Sequence, residues 1–338
     1  MLTVLLVAGI GTYLLTSSHA TTPYVSINAD KGTLAGPATL TACAGASDGN
    51  CVIFGSGGGG TGNSLCGFKV GTPTISKVMV IWEENESASS IIGNSNVPYM
   101  NQIATSCGYA NNYWAYTHPS LPNYMGMTSG VSYASSPWTN DCLPNDSGCN
   151  TANASIFSQM GSNWKSYNET MPSNCYKFNS GSYAPKHNPA AYYTNISSQC
   201  SAQDVPLGST TSGNLFNDIK NGLPAFTTVT PNLVNDWHDG TAAQADSWLK
   251  GWLPVITAGP DYQTGKLAVL LVFDEGGGSG NVASNTYAAW LSPYTKPGTS
   301  SATHFDNFAV TKTIEDLLGQ PELGNAKSAT SMASTFNL

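Results

Sequence analysis

The sequence predicts an α/β protein built on a mostly parallel sheet, and three observations carry that prediction. Residues 77–82, 225–230 and 267–273 are runs of strand length, the first and last continuously apolar, as expected of strands buried on both faces. Segments with helical spacing lie between them, and strands alternating with helices point to a parallel sheet with crossover connections. Each run also ends abruptly in polar residues: Glu83-Glu84-Asn85, then Asn235-Asp236-Trp237-His238 a few residues on, and Asp274-Glu275.

The elements follow in order. Residues 21–72 are rich in Gly, Ser, Thr and Ala around Gly57-Gly58-Gly59-Gly60, and read as a loose extension stapled by Cys43, Cys51 and Cys66. After the strand at 77–82, residues 97–106 suggest a short helix, and the aromatic stretch 109–116 is extended. His118 is biased away from helix by Pro119, and Ser120 suits an N-cap for a turn beginning at Leu121-Pro122. Residues 131–152 are loop-like. Helical spacing of Ile156, Phe157, Met160 and Trp164 predicts a helix over 156–167. Residues 241–253 read as another helix, and residues 304–318 as an amphipathic one stopped by Gly319. The domain is expected to cover residues 73–338.

Composition narrows the setting. The chain has 338 residues, of which 9% are charged, with 12 basic against 20 acidic and a formal charge of −8. An acidic chain without basic blocks argues against a nucleic-acid partner. Residues 1–20 read as a signal peptide cleaved after Ala20, although no Lys or Arg precedes the apolar run at 2–15. That run is too short to span a bilayer comfortably, so no stable membrane insertion is expected after cleavage. With eight cysteines and no CxxC, the chain reads as secreted, periplasmic or cell-surface, with up to four disulfides.

The polar clusters carry the chemistry. In open α/β sheets ligands bind beyond the carboxyl ends of the strands, so the three clusters should converge on one edge. Asp274-Glu275 after an apolar strand crowds two carboxylates that favour a cation. His118, His187, His238 and His304 all lie in polar motifs, where imidazoles suit metal ligation or proton transfer. Ser120 at a helix N-terminus is either a plain cap or a nucleophile facing an anion.

Taken in order, Glu84-Asn85, Thr117–Tyr124, Tyr183–Pro189, Asn235–Asp239, Phe273–Gly277 and the ending 292–319 resemble the bacterial and fungal phosphoesterase family. That family contains secreted acid phosphatases and phospholipases C within the alkaline-phosphatase-like superfamily, and the resemblance spans residues 77–325. It implies a three-layer α/β/α fold with a mostly parallel central sheet. It also implies an acid phosphatase acting on phosphorylated small molecules or lipid head groups through a phosphoserine. Ser120 would be the nucleophile and Asn123 a donor to a phosphoryl oxygen, with His118 and His187 as further catalytic groups. Glu84, Asn85, Asp236, His238, Asp274, Glu275 and His304 would hold a divalent metal ion. Two other readings stand beside it. One is a phospholipase C-type phosphodiesterase. The other is a secreted carbohydrate- or surface-binding protein, suggested by the many aromatic residues and the sequons at Asn153, Asn168 and Asn195.

Overall fold

The computed structural model describes residues 64–278 and 282–338, together with the backbone of two short strands nearer the N-terminus. Those strands, β1 (Ala38–Ala42) and β2 (Asn50–Phe54), pair antiparallel within a unit of their own. The expected leader and the side chains of Cys43 and Cys51 lie outside the described residues.

The larger unit begins at Ser64. Cys66 is joined to Cys107, and the Gly67 and Lys69 amides bond to the Ser292 and Pro293 carbonyls. Residues 64–72 therefore belong to this unit rather than to the Gly/Ser-rich extension. Two further disulfides, Cys142–Cys149 and Cys175–Cys200, tie down its loops.

The unit runs through β3 (Lys77–Glu83), α1 (Pro98–Ser106), β4 (Gly108–Ala110), β5 (Tyr113–Ala115) and α2 (Ser120–Ser129). It continues through β6 (Trp164–Asn168), β7 (Asp204–Pro206), α3 (Asn214–Asn221), β8 (Phe226–Thr230), α4 (Ala242–Thr257) and β9 (Leu267–Phe273). Then come β10 (Ser284–Thr286), β11 (Ala288–Leu291), β12 (Thr299–Ser301), β13 (Phe305–Asp306) and α5 (Asn307–Leu318). Eight strands form one sheet in the order β12-β4-β11-β9-β3-β8-β6-β7, and β10-β5-β13 form a smaller one. In the large sheet only the pairings of β11 are antiparallel.

The three apolar runs become its centre, because β3, β8 and β9 are buried on both faces. Alternation along β3 sends Val78, Val80 and Trp82 into a core shared with Leu121, Tyr124 and Val310 of α2 and α5. Met79 and Ile81 face the opposite core, with Met100 of α1 and Leu249 and Trp252 of α4. Helices on both sides of the sheet make the three layers.

Two local expectations are corrected. The helix expected over 156–167 stops at Gln159, and Trp164 opens β6 instead. Gly161 breaks it with φ +60°, a conformation that favours glycine, while Ile156, Phe157 and Trp164 still pack into one core. Ser120 is not the N-cap of α2 but its first residue, with Pro119 at the cap and no side-chain capping bond.

Candidate active site

The β3–β9 register sets the site. Glu83 pairs with Phe273, and the Asp274 amide bonds to the Glu83 carbonyl at 3.0 Å, so the next residues, Glu84 and Asp274, emerge side by side. On the other side of β3, the Asp236 carbonyl takes the Glu84 amide at 2.8 Å. The ends of β3 and β9 and the loop that follows β8 are thus laced together by backbone bonds before any side chain acts.

Glu84 is wholly buried and central. Its Oε2 accepts the Ser120 hydroxyl at 2.8 Å, and its Oε1 accepts the Tyr124 hydroxyl. His187 Nδ1 lies 2.9 Å from Asp236 Oδ2, while His187 Nε2 stands 3.0 Å from Glu84 Oε1. This second contact is short but not aligned as a hydrogen bond, and His187 Nε2 has no hydrogen-bond partner. With Nδ1–H donated to Asp236, the Nε2 lone pair and the Glu84 oxygen face one another. The second oxygen of Asp274 is also buried without a partner, its Oδ1 accepting the Asn85 and Glu275 amides.

Electrostatics point the same way. Burial raises the Glu84 carboxyl well above its usual range, and the neighbouring Asp274 and Asp236 raise it further. Burial and then Glu275 do the same to Asp274. Burial lifts Asp236 to about 7, and burial with the Asp141 carboxylate lifts Glu275 to about 8. His187 moves the other way, pushed well below its ordinary value by burial and the adjacent Lys186 and His238. Crowded carboxylates beside an imidazole with an unpartnered ring nitrogen are a donor set suited to a divalent cation. Glu84, His187 and His238 offer ligand atoms within 4.8 Å of one another, so the residues present fit such an ion.

A second layer braces this set. Asn123 donates its side-chain amide to the Thr117 and Pro119 carbonyls and to Glu275. Through those bonds Asn123 holds the turn before Ser120. His118 Nδ1 pairs with Glu275 Oε2 at 3.0 Å, and burial lowers the His118 pKa. Glu169 accepts the Asn232 amide, the Asn235 side chain and the Trp248 indole N–H, which fixes the loop carrying Asp236 and His238.

Among the residues expected here, Ser120, Asn123, His118, His187, Glu84, Asp236, His238, Asp274 and Glu275 come together. Asn85 joins them through its backbone, in a left-handed conformation with φ 61°. His304 does not. It is exposed between β12 and β13, and no hydrogen bond or ion pair among the described residues involves it. Three participants were not foreseen: Tyr124, Lys186 and Asp141. Lys186 Nζ lies 3.0 Å from Asp141 Oδ2 and 3.1 Å from His238 Nε2, and Asp141 Oδ1 accepts the Leu121 amide at 3.0 Å. Burial disfavours the Lys186 ammonium, but Glu84 and Asp141 outweigh it and raise its pKa. The chain contains no arginine, its basic residues being twelve lysines, and Lys186 is the one at this site.

The fold is alkaline-phosphatase-like. The chain aligns with a protein of that superfamily from Vibrio parahaemolyticus at a TM-score of 0.53. The alignment covers 78% of this chain and 74% of that one at 11% identity, a likeness of fold alone. Residues 80–321 match the Phosphoesterase family, and the chain belongs to that family. It is 30% identical over 260 residues to the phosphatidylinositol-3-phosphatase of Mycobacterium tuberculosis, covering 76% of this chain and 81% of that protein. It is 26% identical to the acid phosphatase of Aspergillus niger, covering 74% of this chain and 60% of that longer enzyme.

The chain is therefore a phosphoric ester hydrolase, and the reading as a mere binding protein falls away. One of that reading's sequons is also closed to modification in the folded chain, because Asn168 is wholly buried and bonded to Ser166 and Asp204. Among the described residues no helix is long and apolar enough to cross a membrane.

Proposed function

We propose that this is a secreted, divalent-metal-dependent phosphomonoesterase of acid phosphatase type that works through a phosphoserine on Ser120. The observation that carries this reading is the Ser120 hydroxyl, buried in the first turn of α2 and bonded to Glu84 at 2.8 Å. A nucleophile needs an adjacent proton acceptor and a charge-stabilising frame for the group it attacks. Glu84 supplies the first. The α2 N-terminus supplies part of the second through its amides and dipole.

Glu84, Asp236, His187, His238 and Asp274 would hold the metal ion, which when bound lowers the serine pKa and screens phosphoryl charge. The residues then act as follows. Ser120 Oγ attacks phosphorus in line and gives its proton to Glu84, a Ser–O–P bond forming as the ester P–O bond breaks. The departing alkoxide takes a proton from the His118–Glu275 pair, whose proton Glu275 favours through its raised pKa. Water then attacks the phosphoserine, giving its proton to the His118–Glu275 pair, while Glu84 returns its proton to the departing Ser120 oxygen; inorganic phosphate is released and the starting protonation restored. Tyr124 and Asn123 position Glu84 and the 117–119 turn throughout.

Phosphorylated small molecules and phosphorylated lipid head groups are both substrates of the expected chemistry, and the mycobacterial relative's name favours including the latter. The test is hydrolysis of a chromogenic phosphomonoester and a phosphodiester between pH 4 and 9, with and without chelator, by wild type and Ser120→Ala. Chelator-sensitive monoester turnover that Ser120→Ala abolishes supports the reading. Full activity in Ser120→Ala would remove Ser120 as nucleophile, and preferential diester turnover would move the chain to the phospholipase C type.

A further inference from the structure

We propose that Asp141 is an internal stand-in for the substrate's phosphoryl group, and that Lys186 is the cation that recognises phosphoryl once Asp141 is displaced. The proposal deepens the reading of Ser120 as nucleophile and rests on it. A phosphoryl group entering toward Ser120 looks for two partners beyond the carboxylate cluster: free amides of the first α2 turn and a cation. Both are present, and both are engaged by the same side chain. Asp141 Oδ1 takes the Leu121 N–H, the amide next to the nucleophile, and Asp141 Oδ2 takes the Lys186 ammonium. The two oxygens of one carboxylate thus occupy the helix-end amide and the lysine as two phosphoryl oxygens would.

Three further observations separate this from a chance surface pair. The chain has no arginine, so the usual planar phosphate clamp is not available and a lysine has to serve. Lys186 is embedded in the site, its ammonium 3.1 Å from His238 Nε2 and its side chain 19% exposed. Asp141 is delivered to this place by the backbone. It caps the short 3-10 turn Trp138–Asn140 in the left-handed region, φ 49°, with buried Trp138 before it and the Cys142–Cys149 disulfide after it. Its side chain is 21% exposed, which leaves a route for the carboxylate to swing aside while the anchored backbone stays.

The consequence is a built-in competitor. Ground-state binding of phosphate and of phosphomonoester is weakened because the Asp141 carboxylate must first leave its two partners, and its negative charge remains close by. Product phosphate is then held loosely, which favours its release. Asp141→Asn isolates this effect, since the amide oxygen can still accept the Leu121 N–H while the charge that holds Lys186 is gone.

The measurement is calorimetric binding of inorganic phosphate, together with its competitive Ki against a chromogenic phosphomonoester, at a fixed divalent-ion concentration and neutral pH. Asp141→Asn is expected to bind phosphate roughly tenfold more tightly than wild type, the scale of one charge-assisted contact, and Lys186→Met roughly tenfold more weakly. Asp141→Ser, which also removes the charge, should tighten binding in the same direction, and melting temperatures confirm that each variant is folded. Unchanged or weaker phosphate binding in both folded Asp141 variants overturns the proposal, as does unchanged binding in Lys186→Met. If wild type neither binds phosphate nor hydrolyses the monoester, the function reading itself has failed. If wild type does both and the Asp141 variants bind no tighter, only the stand-in role is lost.

Discussion

At the scale of single residues, adjacent glutamates on β3 have opposite duties. Glu84 turns toward α2 and takes the Ser120 and Tyr124 hydroxyls, whereas Glu83 turns to the other face, fully buried, with both carboxyl oxygens unpartnered. Glu84→Gln keeps the shape and removes the base, so kcat should fall by about 10²–10⁴, the usual contribution of a positioned base. Steady-state kinetics on the phosphomonoester read this directly, and equilibrium dialysis should show weaker divalent-ion binding in the same variant. Glu83→Gln should retain most of the activity, because burial raises that carboxyl well above its usual range and no reacting group touches it. An equal loss in both variants would mean that the charge of the cluster matters and the geometry at Ser120 does not. Most of the site was legible in the sequence because its residues follow apolar strands or sit in compact motifs. Asp141 and Lys186 were not, since Asp141 sits in an ordinary-looking Asn-Asp-Cys turn 45 positions from its partner. His304 lay within a polar stretch like the other histidines, but β13 and α5 leave it outside.

At the scale of elements, α2 is the part whose placement decides most. All ten of its residues are buried, between the sheet and α5, and its first residue is the proposed nucleophile. Reading Ser120 as a cap was wrong by one residue, and the difference is chemical. A cap hydroxyl turns back to its own helix, whereas Ser120 turns away, to Glu84. Gly126 in the middle of α2 shows how tightly the helix is seated. A Cβ there would meet the Tyr116 ring at 2.6 Å, and that ring is held by bonds from its hydroxyl to Pro122 and from the Tyr133 amide. Gly126→Ala gains about 1 kcal/mol of helix propensity, but overpacking against a ring that cannot move costs about 1–3 kcal/mol. The net expectation is a lower melting temperature with kcat reduced as α2 shifts; a higher melting temperature at full kcat would show that Tyr116 yields. Helical periodicity also misled at 156–167, because Trp164 reaches the same core from a strand that Ile156 and Phe157 reach from a helix. Burial pattern alone does not distinguish those routes when a glycine intervenes.

At the scale of the whole molecule, the site is a store of charge strain that a cation and protons relieve in alternative ways. Glu275 is raised to about 8 and Asp236 to about 7, and outside the site Asp204, buried among Asn168 and Asn188, also stands at about 7. In the unfolded chain each of these carboxyls returns to about 4. Between that value and the folded pKa the native state holds more protons than the unfolded state, so stability falls as pH rises through this window. The metal-free protein should accordingly lose melting temperature from about pH 4 toward pH 8, with His187 and His118, whose pKa values burial lowers, offsetting part of that loss below about pH 6.5. A divalent ion bound by Glu84, Asp236 and Asp274 replaces those protons at the site, stabilises the native state by mass action, and should flatten most of the slope. Asp204, bonded to Asn168 and Asn188 outside that cluster, should keep its own share of the dependence with metal present. Melting curves from pH 5 to 8, with chelator and then with magnesium, manganese, calcium or zinc, test both parts. A metal-free protein that grows more stable toward pH 8 would contradict the proton accounting. A slope that none of the ions reduces would contradict the assignment of these carboxylates as their ligands.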